Sequence, residues 1–259
     1  MAQSKLTPIC VIACAALLGA CSSSGSGSSS NHHTSVSHHS SSTSATKPQA
    51  TVKITGNYLH LPYEEKDIPT KFKTGDIDVN GELETLRIGN QVIPLYPNNQ
   101  GRFVELKGDN VNVLIAKHLE NARYGWVAKT EGLHKDSTYF FAQGKPSPAL
   151  SAGKFSYTGH SVFSHQDLDG KMLTGTSRFD VDFDSKKLTG TISAGKYSVP
   201  VFANIQSNGN FVGERDGVIS KGAFYGKDAA ELAGTFYQNK NSKLGDFGGA
   251  FGAGNKTAK

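Results

Sequence analysis

Ser177-Arg178-Phe179-Asp180-Val181-Asp182-Phe183 alternates polar and apolar side chains without a break. Successive side chains on an extended strand point to opposite faces, so Phe179, Val181 and Phe183 share one face while Arg178, Asp180 and Asp182 share the other. One face belongs to a core and the other to water. Lys154-Phe155-Ser156-Tyr157-Thr158-Gly159 precedes this run, and Lys187-Leu188-Thr189-Gly190-Thr191-Ile192 follows it, both with the same period. Asp184-Ser185, Asn208-Gly209 and Asp216-Gly217 punctuate the short intervals, which describes an up-and-down antiparallel meander. Of 29 glycines, 17 fall in the last 109 residues. Those inside strands, such as Gly159, Gly190, Gly222 and Gly234, relieve crowding where a small sheet coils tightly and closes. About eight strands fit residues 149–259, predicting an eight-stranded barrel filled by its own side chains.

Gly144-Lys145-Pro146-Ser147-Pro148 breaks the pattern and sets a domain boundary, with a second β-rich domain expected over 51–148. Val52-Lys53-Ile54-Thr55 alternates, and Leu83 to Ile93 and Arg102 to Leu106 carry apolar and β-branched residues between turn signals. Arg123 to Ala128 and Ser137 to Ala142 read as the arms of a hairpin. Val111 to Ala122 stays open: Val111, Leu114, Ile115, Leu119 and Ala122 sit at helical spacing, so a short helix competes with a strand pair. The fold class is mainly all-β.

The N-terminus reads as an address. After Lys5, an apolar stretch from Leu6 to Ala20 is too short to span a bilayer core of ~30 Å as a permanent helix. Residues 1–20 are therefore expected to be a signal peptide, and Leu18-Gly19-Ala20-Cys21 resembles a bacterial lipobox that leaves Cys21 as the lipidated first residue. Ser22 beside it resembles the pattern sorted to the outer membrane. Residues 21–50 then read as a flexible tether, because serine makes up more than half of Ser22 to Thr46 and almost nothing there is apolar. His32-His33 and His38-His39 lie in this tether, but no carboxylate or cysteine completes a metal site of defined geometry. No metal is expected.

Position also decides what the three cysteines mean. Cys10 and Cys14 would leave with the signal and Cys21 would carry lipid, so cysteine chemistry is excluded from the mature chain. The formal charge of +5 is small for 259 residues and no basic run exceeds two, which argues against nucleic-acid binding. The charge falls to +4 once Lys5 departs. No G-x-S-x-G elbow, H-E-x-x-H helix or phosphate loop appears, and Asp180, Asp182 and Asp184 fit a solvated strand face. The chain is not expected to be an enzyme.

Lys221-Gly222-Ala223-Phe224-Tyr225-Gly226-Lys227-Asp228-Ala229-Ala230-Glu231-Leu232-Ala233-Gly234-Thr235-Phe236 and the closing Gly249-Ala250-Phe251-Gly252-Ala253 resemble the barrel signature of the transferrin-binding-protein-B-like family. Ala233 stands where the family has the first of two paired glycines. Phe179 to Thr191, Ala203-Asn204-Ile205 and Gly209-Asn210-Phe211 extend the match, and Arg123 to Trp126 and Tyr139 to Gly144 look like the closing strands of the family's handle domain. The resemblance implies an N-terminal handle plus a C-terminal barrel, on an outer-membrane, surface-exposed lipoprotein exported by a Slam-type translocon. A role in host interaction, colonisation or symbiosis through an unidentified host protein or ligand follows by the same resemblance, with a monomer expected. The alternative is haem acquisition of the haemophilin type, with His134 and His118 as candidate axial ligands and His60 further upstream. No cofactor is expected outside that alternative. Asn57 to Thr74, with Tyr58, Leu59, Leu61, Tyr63, Ile68 and Phe72, offers anchors for a partner or packing for the handle.

Overall fold

A computed structural model describes residues 52–62, 72–95, 103–107, 111–130, 136–238 and 246–259. The expected signal peptide and tether, Cys21, His134, Tyr63 and Ile68 lie outside the described residues.

Among the described residues, eight strands form the N-terminal part: β1 (Val52–Pro62), β2 (Lys73–Gly81), β3 (Thr85–Ile88), β4 (Gln91–Pro94), β5 (Phe103–Lys107), β6 (Val111–Ala116), β7 (Ala122–Thr130) and β8 (Asp136–Gly144). Six of them make one antiparallel sheet in the order β2-β1-β8-β7-β6-β5, while β3 and β4 pair as a separate hairpin. Arg123 to Ala128 and Ser137 to Ala142 pair as expected, in the β7–β8 ladder. The ambiguous stretch is a strand up to Ala116, irregular from Lys117 to Asn121, and enters the next strand at Ala122. Its apolar run shows no alternation because the sheet is covered on both sides. Val113 and Ile115 join Ile54, Val127, Tyr139 and Phe141 under Leu86, Ile88 and Ile93 of the hairpin. Leu114 and Ala116 face the other way, with Leu59, Tyr124, Phe140 and Ala142. A continuous apolar run of this kind carries no period that separates strand from helix.

The second part is a closed antiparallel barrel of β9 (Lys154–His165), β10 (Leu173–Asp182), β11 (Lys187–Ala194), β12 (Tyr197–Ile205), β13 (Asn210–Arg215), β14 (Val218–Tyr225), β15 (Glu231–Gln238) and β16 (Phe247–Ala258), with β16 returning to β9. Asp216 and Gly217 both take positive φ, 52° and 76°, as a two-residue hairpin turn requires. The interior is packed with aromatic rings: Phe179 lies 4.9 Å from Phe251, and Phe211 and Phe183 lie 5.5 and 5.0 Å from Phe224. Strand glycines make room for them. A Cβ on Gly190 would sit 2.3 Å from the Phe179 ring, and one on Gly222 would sit 2.4 Å from Phe211. One mouth is stoppered by the Gly226–Ala230 turn, where the Tyr157 hydroxyl donates to the Ala229 carbonyl at 2.7 Å, and burial pushes that phenol's pKa up. Above it the Lys256 ammonium lies 4.0 Å from the Phe155 ring centre, and burial lowers its pKa.

Candidate functional site

The signature strands form the wall that meets the sheet. On β15 the inward residues Leu232 and Phe236 fill the barrel, while Ala233, facing outward, is buried against the sheet. Ala223 and Ala250 do the same on β14 and β16. These small outward residues let handle aromatics approach closely: a Cβ on Gly252 would meet the Tyr124 ring at 2.3 Å, and one on Gly248 would meet Phe72 at 2.5 Å. In the reverse direction Tyr225 reaches over Gly144 and donates to the Thr55 carbonyl at 3.3 Å. Asn57 donates to Thr235 across the same seam. Of the proposed partner-binding stretch, Leu59 and Phe72 therefore pack this junction, and Tyr58 packs the hairpin side. For these three, packing is the correct reading.

Glu231 fixes the seam's upper end. Its two carboxylate oxygens accept the backbone N–H groups of Glu120 and Asn121 at 2.7 and 2.8 Å. Burial pushes this carboxyl above the ordinary glutamate range, while the two N–H donors and the Arg123 guanidinium pull the other way. Arg123 itself donates to Glu84 and to the carbonyls of Leu119 and Ala122, so the Lys117–Asn121 connection is held from both sides.

That connection carries His118. The structure brings His118 to 4.9 Å from His160 of β9, edge to face, with Tyr124 5.7 Å from the same ring. Both imidazoles stand by a trough of about 510 Å³ on the outer wall of the barrel. Its floor is set by strand register. His160, Thr176 and Ser193 lie across from one another on β9, β10 and β11, and Thr158, Arg178 and Thr191 form the next rung. Asn255 lines the trough from β16 and donates to Thr158 at 3.4 Å. A shallower recess of about 280 Å³ continues past Arg178 to Asp180 and Thr189.

The acidic residues of this wall are engaged locally. Asp180 pairs with Lys259 at 2.6 Å, Asp182 with Lys154 at 3.3 Å, and Asp184 accepts the Gly153 N–H at 3.0 Å. Arg178, exposed on the same face, makes no ion pair or hydrogen bond among the described residues. The trough is thus rich in donors: a guanidinium, two imidazoles, an amide and several hydroxyls. No group of three or more metal-ligating side chains is brought together among the described residues.

Of the sequence candidates, His118 is at this site, His60 stacks on Tyr139 at 4.5 Å within the sheet, and His134 lies outside the described residues. Sequence reasoning missed His160, Asn255 and Glu231. The signal for Arg178 was available, since its outward position follows from strand alternation, but which outward residues meet a handle loop depends on docking.

Comparisons with known proteins agree with this architecture. Residues 150–255 match the family model for the C-lobe and N-lobe β-barrels of transferrin-binding protein B. An uncharacterised Haemophilus influenzae protein is 31% identical over 201 residues, covering 68% of each chain. The chain belongs to the TbpB-like family. Transferrin-binding protein B of H. influenzae is 29% identical over 248 residues, covering 76% of this chain and 39% of that protein, so the chain spans about two-fifths of its length. Among solved structures, a mutant transferrin-binding protein B from Haemophilus parasuis superposes with a TM-score of 0.57 at 22% identity, covering 80% of this chain and 46% of that one. A surface lipoprotein superposes with a TM-score of 0.51 at 19% identity, covering 78% of this chain and 98% of that one. For this TbpB-like chain, the signature strands are explained by packing on both faces.

Proposed function

We propose that this chain is a surface-exposed outer-membrane lipoprotein that binds a host-derived ligand, lipidated at Cys21 and carried to the cell exterior by a Slam-type translocon. Residues 21–50 act as the tether, 51–148 as the handle and 149–259 as the barrel. Family membership supports the surface-lipoprotein class. The observation that carries the binding role is the seam: sheet and barrel share one buried interface, so they present a rigid platform whose β10–β11 wall remains outward and polar. Rigid scaffolds that expose loops and faces in this way are the usual carriers of recognition. Colonisation of a host is the role this reading assigns.

Haem uptake fits the platform less well. An axial histidine needs an apolar slot for the porphyrin, whereas His118 stands among hydroxyls and a guanidinium. Protease shaving of intact cells tests the placement: full-length chain should vanish from wild-type cells and persist in cells lacking the translocon or carrying a lipobox that cannot be processed. Persistence in wild-type cells as well would refute surface export.

A further inference from the structure

We propose that the trough bounded by His118, His160 and Arg178 binds an acidic glycan, through a carboxylate or sulfate carried on a hydroxyl-rich sugar ring. The inference rests on the host-binding reading and deepens it by naming the ligand class.

Three features of the trough lead to that class. First, its permanent charge is cationic. Arg178 projects from β10 into both the trough and the adjoining recess, and the nearest carboxylate in the recess, Asp180, is neutralised by Lys259. A guanidinium presents parallel N–H donors that match the two oxygens of a carboxylate or sulfate. Second, the two cross-strand rungs surround this cation with Thr158, Thr176, Thr191 and Ser193, all exposed, whose hydroxyls both donate and accept. Sugar hydroxyls are the natural complement to such a surface, and an apolar ligand is not. Third, the site is composite. His118 comes from the handle and the other groups from the barrel, and the Glu231 carboxylate holds the backbone next to His118 in place. Ligand groups are therefore met by a fixed geometry, which lowers the ordering cost of binding. The volume of about 510 Å³ accommodates one to two sugar rings.

The test titrates the purified full chain with 3′-sialyllactose, with a heparin-derived disaccharide, with neutral lactose and with inorganic sulfate, read by calorimetry and saturation-transfer NMR. The expected result is saturable binding of at least one acidic sugar, absent for lactose, with about tenfold loss of affinity in Arg178→Ala. Because Arg178 faces outward, the variant's melting curve should overlay that of the parent chain, and Arg178→Glu should abolish binding. Failure of both acidic sugars to bind overturns the proposal. So does lactose binding as tightly as sialyllactose, inorganic sulfate matching the sulfated sugar, or equal affinities in the parent and Arg178→Ala. The sialylated and sulfated arms distinguish the two sources of negative charge. Shaving of cells measures export separately, so a negative titration leaves the lipoprotein reading standing.

Discussion

The barrel has two kinds of wall. From Glu231 to Phe236 of β15 and from Phe247 to Gly254 of β16 every residue is buried whichever way it points, whereas along β10 and β11 burial alternates with strand period. Both walls close over the same aromatic interior, so the difference lies outside. One wall is built of Ala and Gly to receive the handle, and the other is built of Thr, Ser, Arg and Asp to face water. In this chain the family's glycine-rich signature accordingly marks a docking seam. The wall less marked by that signature is where ligand chemistry is available.

The largest expected effect breaks the docked wall. Gly252→Val would place a methyl-bearing carbon against Tyr124 and Leu119, which are already enclosed. It should cost about 3 kcal/mol, as overpacking of a filled core does. The matched change on the open wall, Thr191→Val, should stay within about 0.5 kcal/mol. Chemical denaturation of both variants checks the pair, and equal losses would mean that the two walls do not differ as described. Next comes Glu231→Ala. Two backbone N–H groups lose their acceptor, at a cost of about 1–3 kcal/mol. Hydrogen exchange should quicken selectively at Glu120 and Asn121 while the β10–β11 amides keep their protection. The smallest effect belongs to the open wall's own turn. The Ser185 N–H, with its hydroxyl and then Lys154, holds the Asp182 carboxyl below the ordinary aspartate range. A depressed native pKa means that this stabilisation is present above the unfolded value and disappears as pH falls through the native one. Asp182→Asn should therefore lower the neutral plateau of the melting-temperature profile slightly, flatten its acid limb, and converge with the parent chain once Asp182 is protonated there.

How much was legible in the sequence follows the same division. Where a strand has one wet face, as in Ser177 to Phe183, alternation identified both the strand and its outward set, including Arg178. Where a strand is covered on both faces, as in Val113 to Ala116, alternation vanishes, and only the hairpin on one side and the barrel on the other distinguish strand from helix. Glu231 illustrates a different limit. Its partners lie more than a hundred residues away along the chain, and nothing local distinguishes a carboxylate that grips two amides from one that points to solvent. Residue type alone singles out His118 in the sequence; its pairing with His160 depends on how sheet and barrel dock. The aromatic anchors Leu59 and Phe72 looked equally suited to a partner or a core, because both uses draw on the same apolar side chains.

The last strand of the barrel is also its lock. β16 completes the cylinder by pairing with β9, the first strand, so both β9 and β15 present an unpaired edge until Phe247 to Ala258 arrive. Ring closure across the whole barrel is a long-range contact of the kind that slows folding. A chain still emerging through a pore, in either direction, would lack the residues that finish the ring. The barrel is thus built to mature late, once its final segment is free to pair with both neighbours.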